Sequence, residues 1–394
     1  MSPVFALVSR ALIHSSLLCL LCLSFLRNVE STKVPMLQDL KNHKFVFVIG
    51  AHHSGTSLIN LMLQRHPDLS GLRNTGVPED EGQHLQNVYK SAKRLGGILL
   101  YADHSESHID DSSPLINDAN RLLLYSSWAK FWNTSRPILV EKSPPHTLMT
   151  RFLQAMFSPE RTYFIATMRH PLAAYFWHWK DKPALLAVDC GRRYIRHWLK
   201  IYNTLIADVP KIQHFHIVKI ERFLSSREPQ KHVDAIFRFL ERKESIPITT
   251  TCKSFKGNFR HSRLVDAQLR HLRRGSTPTP VHTRISALNA NVINSPLCQN
   301  FSEASDTSSS PLPEANARRL LMFHGDRDGV HIGVNDHMDW IKTMLKYVDL
   351  GSEMCVKVRE DFEESVNEFG YSLKHLRRID LPTNILSKFA STLN

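Results

Sequence analysis

FVFVIGAHHSGTSLINLML, residues 45–63, is the stretch that decides the fold class of this chain. An apolar run with β-strand character leads into a glycine-rich turn, and an apolar stretch with helical spacing follows. This order is typical of a phosphate-binding loop, whose triphosphate-binding version reads G-x-x-x-x-G-K-[ST]. Both glycines and the final serine are in register, but Thr56 occupies the lysine position. The loop therefore predicts an anion site that works without the lysine.

The composition is that of an ordinary globular protein with an excess of basic over acidic residues. The chain has 394 residues, 42% of them hydrophobic and 22% charged, which allows one large α/β domain or two smaller ones. The formal charge of +13 and the pI of about 9.5 favour an anionic partner, such as an acidic glycan, a membrane surface or a phosphorylated cofactor. Nucleic acid is not expected, because no zinc knuckle or aromatic-basic RNA-binding stretch occurs.

Four near-continuous apolar runs predict β-strands at 45–49, 137–140, 162–168 and 214–218. Runs of this kind suit strands that are buried on both faces of a parallel sheet. Helical patterns lie between and after them, at 56–65, 113–131, 146–156, 191–207, 229–242, 336–348 and 359–369. The alternation predicts an α/β fold: a three-layer parallel sheet with a P-loop-like phosphate-binding loop and flanking helices.

Residues 1–31 are predicted to be a signal peptide or a signal anchor, and residues 32–43 a short stem. No acidic residue precedes Glu30, and Arg10 stands just before an apolar segment at 11–26. That segment is short for a membrane span of about 20 residues and fits the apolar part of a secretory signal. A signal anchor that starts nearer Pro3 is the competing interpretation. An organelle transit peptide fits less well, because the segment is rich in leucine and poor in arginine.

The expected location is the secretory pathway, as a single-pass type II membrane protein of the Golgi lumen or as a secreted protein after signal cleavage. Sequons at Asn133 and Asn300 agree with this. Outside the leader, four cysteines allow two disulfides in three pairings, or stay free in the core: Cys190, Cys252, Cys298 and Cys355. Residues 44–394 are predicted to form one domain with a flexible insertion around 295–315.

Basic residues follow the predicted strands at one edge of the sheet. In α/β sheets, ligands bind outside the carboxyl ends of the strands. The glycine loop offers backbone N–H groups and a helix N-terminus to an anion, and Ser54, Thr56 and Ser57 add hydroxyl donors. Lys142 and Arg169 follow the second and third strands. The sequence therefore predicts a single phosphate-binding edge.

The ordered set of motifs resembles the sulfotransferase superfamily. It comprises G-x-x-x-S-G-T-S in the loop, K-S-P-P from Lys142, R-H-P from Arg169 and V-x-x-E-x-F-L at 218–224. Three stretches, 76–86, 141–146 and 366–373, are similar to a plant and algal branch that is related to Golgi tyrosylprotein and glycan sulfotransferases. The resemblance covers roughly residues 44–240, with a further patch at 359–376.

The resemblance implies binding of 3′-phosphoadenosine 5′-phosphosulfate (PAPS), which has no γ-phosphate for the missing lysine to reach. The implied cofactor-binding residues are His53, Ser54, Gly55, Thr56, Ser57 and Arg169. Arg169 would clamp the 3′-phosphate with its forked donors. Two residues depart from the family pattern: His53 replaces a Lys or Arg, and Trp177 replaces a serine that helps to bind the 3′-phosphate. Because a protonated imidazole has two donors, cofactor affinity is expected to rise at mildly acidic pH.

Sulfuryl transfer resembles phosphoryl transfer, in which positioning and charge stabilisation do most of the catalysis. Lys142 matches the strand-end lysine of tyrosylprotein sulfotransferases and is predicted to be the cation at the leaving oxygen. Membrane-type members use a glutamate as the base, so Glu81 is the first candidate, Glu79 the second, and His84 a third. The reaction requires no metal, and none is predicted.

The predicted function is that of a PAPS-dependent sulfotransferase that acts on a glycan, a protein tyrosine or a small alcohol. A catalytically silent anion- or glycan-binding protein on the same scaffold is the alternative that His53 and Trp177 leave open. A P-loop kinase fits less well, because Thr56 replaces the lysine and no Mg²⁺-binding acid stands out at a strand end. An uncleaved N-terminal anchor would add the membrane as a partner.

Overall fold

The structure is a computed structural model that describes residues 40–179, 182–225, 228–251, 325–326, 329–333 and 348–376. Its main sheet has five strands: β1 (Lys44–Gly50), β2 (Leu69–Gly71), β3 (Ile138–Lys142), β4 (Thr162–Met168) and β5 (His214–Lys219). They lie in the order β2-β3-β1-β4-β5, and every neighbouring pair is parallel. The predicted parallel sheet is confirmed, and the short edge strand β2 is an addition to it.

Helices cover both faces of this sheet. They are α1 (Thr56–Leu63), α2 (Asp118–Ala129), α3 (Thr150–Phe157), α4 (Pro171–Trp179), α5 (Arg192–Asp208), α6 (Ile220–Ser225), α7 (Pro229–Phe239) and α8 (Glu353–Asn367). Phe45, Phe47 and Ile49 of β1 belong to one hydrophobic core, and Val46 and Val48 belong to a second. Because successive side chains of a strand point to opposite faces, the sheet is buried on both sides. The three-layer arrangement is confirmed.

Two predicted helices begin later than their apolar patterns indicate. The helix predicted at 113–131 begins at Asp118, because the Asn117 side chain accepts a hydrogen bond from the Asn120 amide at 2.9 Å and caps the helix. The helix predicted at 146–156 is a 3₁₀ turn over Pro144–Leu148 that is followed by α3. Local capping and proline therefore decide boundaries that periodicity leaves open.

Helix α8 packs against α5 and is fixed there by a covalent bond. A disulfide joins Cys190 to Cys355 across 165 residues of sequence. Arg192 at the start of α5 adds an ion pair with Asp361 of α8 at 2.9 Å. The segment that follows α8 also packs on α5, where the Phe369 and Trp198 ring centroids are 4.9 Å apart.

Several sequence predictions fall on residues that the structure does not describe. These are the leader, most of the stem, the helix predicted at 336–348 apart from its last residue, the insertion around 295–315, the sequon at Asn300, and Cys252 and Cys298. Among the described helices, none is long and apolar enough to cross a membrane. Three short strands, β6 (Ile248–Thr251), β7 (Gly325–Asp326) and β8 (Gly329–Gly333), form a second sheet in the order β6-β8-β7.

Candidate functional site

The loop between β1 and α1 is held against β4 by hydroxyl groups. The Ala51 amide donates a hydrogen bond to the Tyr202 hydroxyl at 3.1 Å, and that hydroxyl donates to the Thr167 carbonyl at 2.7 Å. The Ser54 hydroxyl lies 2.7 Å from Oγ1 of Thr167, and Ser54 is completely buried. Ser54 therefore uses its hydroxyl to fix the position of the loop.

At the end of this loop, Gly55 adopts a left-handed conformation with a φ of 97° and is the N-cap residue that precedes α1. A Cβ at Gly55 would lie 2.6 Å from Cδ1 of Ile220 and would have to displace that side chain, and the left-handed φ itself favours glycine. Within the described residues, the amides of Gly55, Thr56 and Ser57 have no hydrogen-bond acceptor. First-turn amides and the helix dipole favour an anion at this point, as predicted from the sequence.

Arg169 directly follows β4 and is buried, with 7% of its surface exposed. Its Nη1 donates a long hydrogen bond to the His53 carbonyl at 3.4 Å, and its guanidinium lies 5.6 Å from the centre of the Trp177 ring. No carboxylate of the described chain lies within ion-pair distance of Arg169. Burial lowers its pKa, although an arginine stays charged. A buried guanidinium of this kind suits an anionic ligand.

Of the two departures from the family pattern, His53 belongs to the loop and Trp177 lies in α4 beside Arg169. Nε2 of His53 is 3.2 Å from Nδ1 of His178 in α4. A hydrogen bond between two imidazoles needs one nitrogen to accept, so at most one of these rings carries an extra proton while the bond lasts. Burial lowers the pKa of His178, which places the acceptor role on that ring.

Glu81 and Lys142, 61 residues apart in sequence, meet in a buried ion pair. Nζ of Lys142 donates to Oε1 of Glu81 at 2.8 Å, and their side chains are 2% and 7% exposed. Lys142 is the last residue of β3 and is in register with Val48 of β1, so the pair lies at the carboxyl edge of the sheet beside the loop. The structure therefore brings the first-choice base and the predicted cation together.

Glu141, which the sequence did not single out, shapes the turn that carries Glu81. Its Oε1 accepts hydrogen bonds from the Gly82 amide at 2.8 Å and from the Ser143 hydroxyl at 2.6 Å, while Oε2 lies 2.6 Å from Nδ1 of His146. Glu141 and His146 are almost fully buried. A carboxylate that directly follows the apolar run 137–140, at the end of β3, is the sequence signal that could have revealed this role.

The other two candidate bases lie less favourably. Glu79 is exposed and has a left-handed φ of 57° in the turn before Glu81. His84 is half-buried, with its Nε2 3.9 Å from Oε2 of Glu81, and burial lowers its pKa. Of these acids and bases, only Glu81 is bonded to Lys142 in the described chain.

The segment after α8 completes the edge at β4 and β5. Glu221 accepts hydrogen bonds from the His170 amide at 2.7 Å and from the Tyr371 hydroxyl at 3.0 Å. Nε2 of His170 lies 3.1 Å from the carbonyl oxygen of Ser372. Burial raises the pKa of Glu221 and lowers that of His170 to about 4. His170, the residue next to Arg169, is therefore held in place by Glu221 and by Ser372 of the segment after α8.

Metal ligands are not grouped in the described ranges: no three His, Cys, Asp or Glu side chains are placed to hold an ion. Asn133, the sequon that the structure describes, is exposed in the turn before β3.

A family model described as "Sulfotransferase family" matches residues 46–245, just over half of the chain. The comparison with curated proteins gives no match. Among solved structures, the chain is similar to a sulfotransferase domain of the Synechococcus PCC 7002 olefin synthase, with 17% identity, a TM-score of 0.33, and coverage of 52% of this chain and 75% of that chain.

Two mycobacterial sulfotransferases are similar to the same extent. For the Mycobacterium avium protein, the identity is 14% and the TM-score 0.37, with coverage of 51% of this chain and 64% of that chain. For the Mycobacterium tuberculosis H37Rv protein, the identity is 15% and the TM-score 0.39, with coverage of 55% of this chain and 73% of that chain. At these identities and TM-scores, the likeness says nothing of substrate or activity.

Proposed function

The chain belongs to the sulfotransferase family, and from this premise we propose that it transfers a sulfuryl group from PAPS to a hydroxyl acceptor. The observation that carries the proposal is the meeting of three features on neighbouring strands. Lys142, the last residue of β3, pairs with the buried Glu81, the lysine-free loop follows β1, and Arg169 follows β4. Parallel strands place these groups side by side at one edge, where α/β proteins bind their ligands.

The residues present fit a doubly phosphorylated donor. The free amides of Gly55, Thr56 and Ser57 suit the 5′ side of the donor, and the buried guanidinium of Arg169 suits the 3′-phosphate. The Trp177 ring lies 5.6 Å from the guanidinium, at the position where many family members have a serine ligand. When bound, PAPS supplies the sulfuryl group, and its bisphosphate half is the leaving group.

Glu81 and Lys142 have complementary roles in this proposal. Transfer forms a bond between sulfur and the acceptor oxygen while the bond between sulfur and the phosphate oxygen breaks, and the acceptor proton passes to Glu81. Lys142 then stabilises the negative charge that develops on the leaving oxygen. In the described state the two side chains neutralise each other, so Lys142 exchanges its contact with Glu81 for one with the donor as catalysis begins.

We place the protein in the secretory pathway, as a type II membrane protein of the Golgi lumen or as a secreted protein. Two observations support this. The Cys190–Cys355 disulfide suits an oxidising compartment, and the exposed Asn133 is accessible to glycosylation. The acceptor hydroxyl belongs to a glycan, a protein tyrosine or a small alcohol.

A comparison of two ligands tests the proposal. A ligand that binds only the folded state raises the melting temperature by mass action. Adenosine 3′,5′-bisphosphate should stabilise the protein more than ATP with Mg²⁺ does, and stabilisation by ATP alone would overturn the assignment. The second candidate is a silent anion-binding scaffold, which the His53 and Trp177 departures favour. Bisphosphate binding without transfer of labelled sulfate to any acceptor class would support that candidate.

A further inference from the structure

Glu221 is a buried carboxylate, 2% exposed, in the first turn of α6, which directly follows β5. Its Oε1 accepts a hydrogen bond from the His170 amide at 2.7 Å. That nitrogen is two covalent bonds from Cα of Arg169, so Oε1 lies within about 5 Å of this Cα. An arginine side chain can reach a carboxylate at such a distance.

Arg169 and Glu221 nevertheless do not form an ion pair. In the described ranges, no carboxylate lies within ion-pair distance of the Arg169 guanidinium, whose Nη1 donates to the His53 carbonyl at 3.4 Å. Burial raises the pKa of Glu221, and the charge of Arg169 is the strongest influence that lowers it, as expected of neighbours. Opposite charges that are buried this close normally pair, because an unpaired buried charge destabilises the fold. Other contacts must therefore hold the carboxylate in its place.

The Tyr371 hydroxyl occupies the second oxygen of this carboxylate. It donates a hydrogen bond to Oε2 of Glu221 at 3.0 Å, while the His170 amide holds Oε1. Both donors are uncharged, and two donors on two oxygens fix the orientation of a carboxylate. Without the hydroxyl, Oε2 would be left in a buried site without this donor, which is costly. The guanidinium of Arg169 is a charged donor within reach of it.

Tyr371 is itself held by α8 and β5. The Ser372 hydroxyl donates to Oε1 of Glu363 at 2.6 Å and the Leu373 amide donates to Oε2 at 2.7 Å, which fixes the turn after α8. The Tyr371 side chain is 0% exposed, and its ring centre lies 4.6 Å from Nζ of Lys219. These contacts do not involve the Tyr371 hydroxyl, so a phenylalanine at this position would keep them.

We propose that Tyr371 is a positioning residue of the donor site: its hydroxyl holds Glu221 away from Arg169 and so keeps the guanidinium available to the 3′-phosphate. This rests on the proposed binding of the donor at Arg169. If the hydroxyl is removed, Glu221 turns to Arg169 and competes with the phosphate, because a carboxylate and a phosphate use the same forked donors. The effect of Tyr371 thus passes through the charge of Glu221.

Calorimetric titration of the full chain with adenosine 3′,5′-bisphosphate measures the affinity of the donor site without turnover. Tyr371→Phe removes the hydroxyl and keeps the ring, Glu221→Gln removes the carboxylate charge, and the double variant removes both. Tyr163→Phe is the matched control, because the Tyr163 hydroxyl also donates to a glutamate, Glu241, but lies at the amino-terminal end of β4. The melting temperature of each variant shows that it is folded.

Tyr371→Phe should weaken bisphosphate binding about tenfold, because the new ion pair must break before the phosphate binds. Glu221→Gln should bind bisphosphate at least as tightly as the unaltered protein, and the double variant should bind it within twofold of the unaltered protein. Tyr163→Phe should leave the affinity unchanged. Recovery in the double variant distinguishes competition by a charge from a general loss of packing, which a second substitution would not repair.

The inference is overturned if Tyr371→Phe binds bisphosphate within twofold of the unaltered protein, as it would if Glu221 turned to Lys219 instead. It is also overturned if the double variant binds as weakly as Tyr371→Phe. Should Tyr371→Phe fail to fold, Glu221→Gln decides alone: equal or tighter binding supports the inference, and binding more than twofold weaker overturns it. If the unaltered protein does not bind bisphosphate, the proposed function fails and the role of Tyr371 fails with it.

Discussion

Replacing Glu81 by glutamine tests the proposed catalytic pair most directly. Oε1 of Glu81 accepts a hydrogen bond from Nζ of Lys142 at 2.8 Å, and both side chains are buried. The amide keeps the shape of the side chain but removes its charge, so the Lys142 ammonium loses its counter-charge in a buried site. Removing one partner of such a pair costs about 3–5 kcal/mol of the free energy of unfolding.

This loss corresponds to a large change in thermal stability. One kcal/mol shifts the melting temperature by about 2–4 °C for domains of 150–250 residues, so a drop of roughly 6–20 °C is expected. The surroundings add to the loss. Nε2 of Gln83 donates a hydrogen bond to Oε2 of Glu81 at 2.6 Å. In Glu81→Gln, the new side-chain amide can place its NH₂ group opposite Nε2 of Gln83, so that two donors face each other.

Adenosine 3′,5′-bisphosphate should act in the opposite direction. In the proposed site its phosphate oxygens lie near Lys142 and replace the missing counter-charge. The bisphosphate should therefore raise the melting temperature of Glu81→Gln by more than that of the unaltered protein, and that of Lys142→Met by less. Differential scanning fluorimetry over a range of bisphosphate concentrations measures both shifts. Turnover of Glu81→Gln should fall by about 10²–10⁴-fold, the contribution of a general base.

The double variant Glu81→Gln, Lys142→Met completes a double-mutant cycle and should recover part of the lost stability. The control is Glu106→Gln, which breaks an exposed ion pair with Lys90 and should leave the stability nearly unchanged. The reasoning is refuted if Glu81→Gln melts as the control does. It is also refuted if the bisphosphate shift is the same in all variants.

Arg169→Ala should weaken bisphosphate binding by about tenfold or more, because charge-assisted hydrogen bonds contribute about 1.5–3 kcal/mol. Calorimetry measures the affinity, and Arg193→Ala, which removes an exposed arginine, is the control. If both variants bind bisphosphate equally well, Arg169 does not bind the 3′-phosphate. Cys190→Ser should lower the free energy of unfolding by about 2–5 kcal/mol, because the disulfide spans 165 residues; urea unfolding measures this, and a wild-type midpoint that reductant leaves unchanged would contradict it. Stability should fall as the pH drops from 6.5 toward 4, because burial lowers the pKa of His170 and His216 to about 4 and the unfolded chain takes up protons in this window. At pH 5.5 each ring accounts for about 1.4 kcal/mol, and equal stability at pH 5.5 and 7.5 would contradict the buried neutral state.

The sequence was sufficient for four of the five strands of the main sheet, all except β2, and for the positions of Lys142 and Arg169. Near-continuous apolar runs identify strands buried on both faces, and the carboxyl ends of parallel strands meet at one edge. Any residue that directly follows such a strand is therefore placed by topology alone. The glycine loop is equally local, because the left-handed turn at Gly55 needs no distant partner to be recognised.

The sequence could rank Glu81 above Glu79, but the physical reason for that order lies in the tertiary structure. Glu141 holds the Gly82 amide and so fixes which acidic residue of the turn faces Lys142. That contact joins segments 59 residues apart, and no periodicity or motif encodes it. The Cys190–Cys355 pairing was open for the same reason, because disulfide connectivity depends on tertiary structure.

Mildly acidic pH should act on binding and on stability in opposite directions. A proton added to the His53–His178 pair puts positive charge beside the free loop amides and favours an anionic donor. The same acidity destabilises the fold, because His170 is buried without a proton. The bisphosphate dissociation constant should therefore fall between pH 8 and pH 6 while the melting temperature of the free protein also falls. An affinity that is flat from pH 5.5 to 8 would remove the role of His53 and leave the stability argument intact.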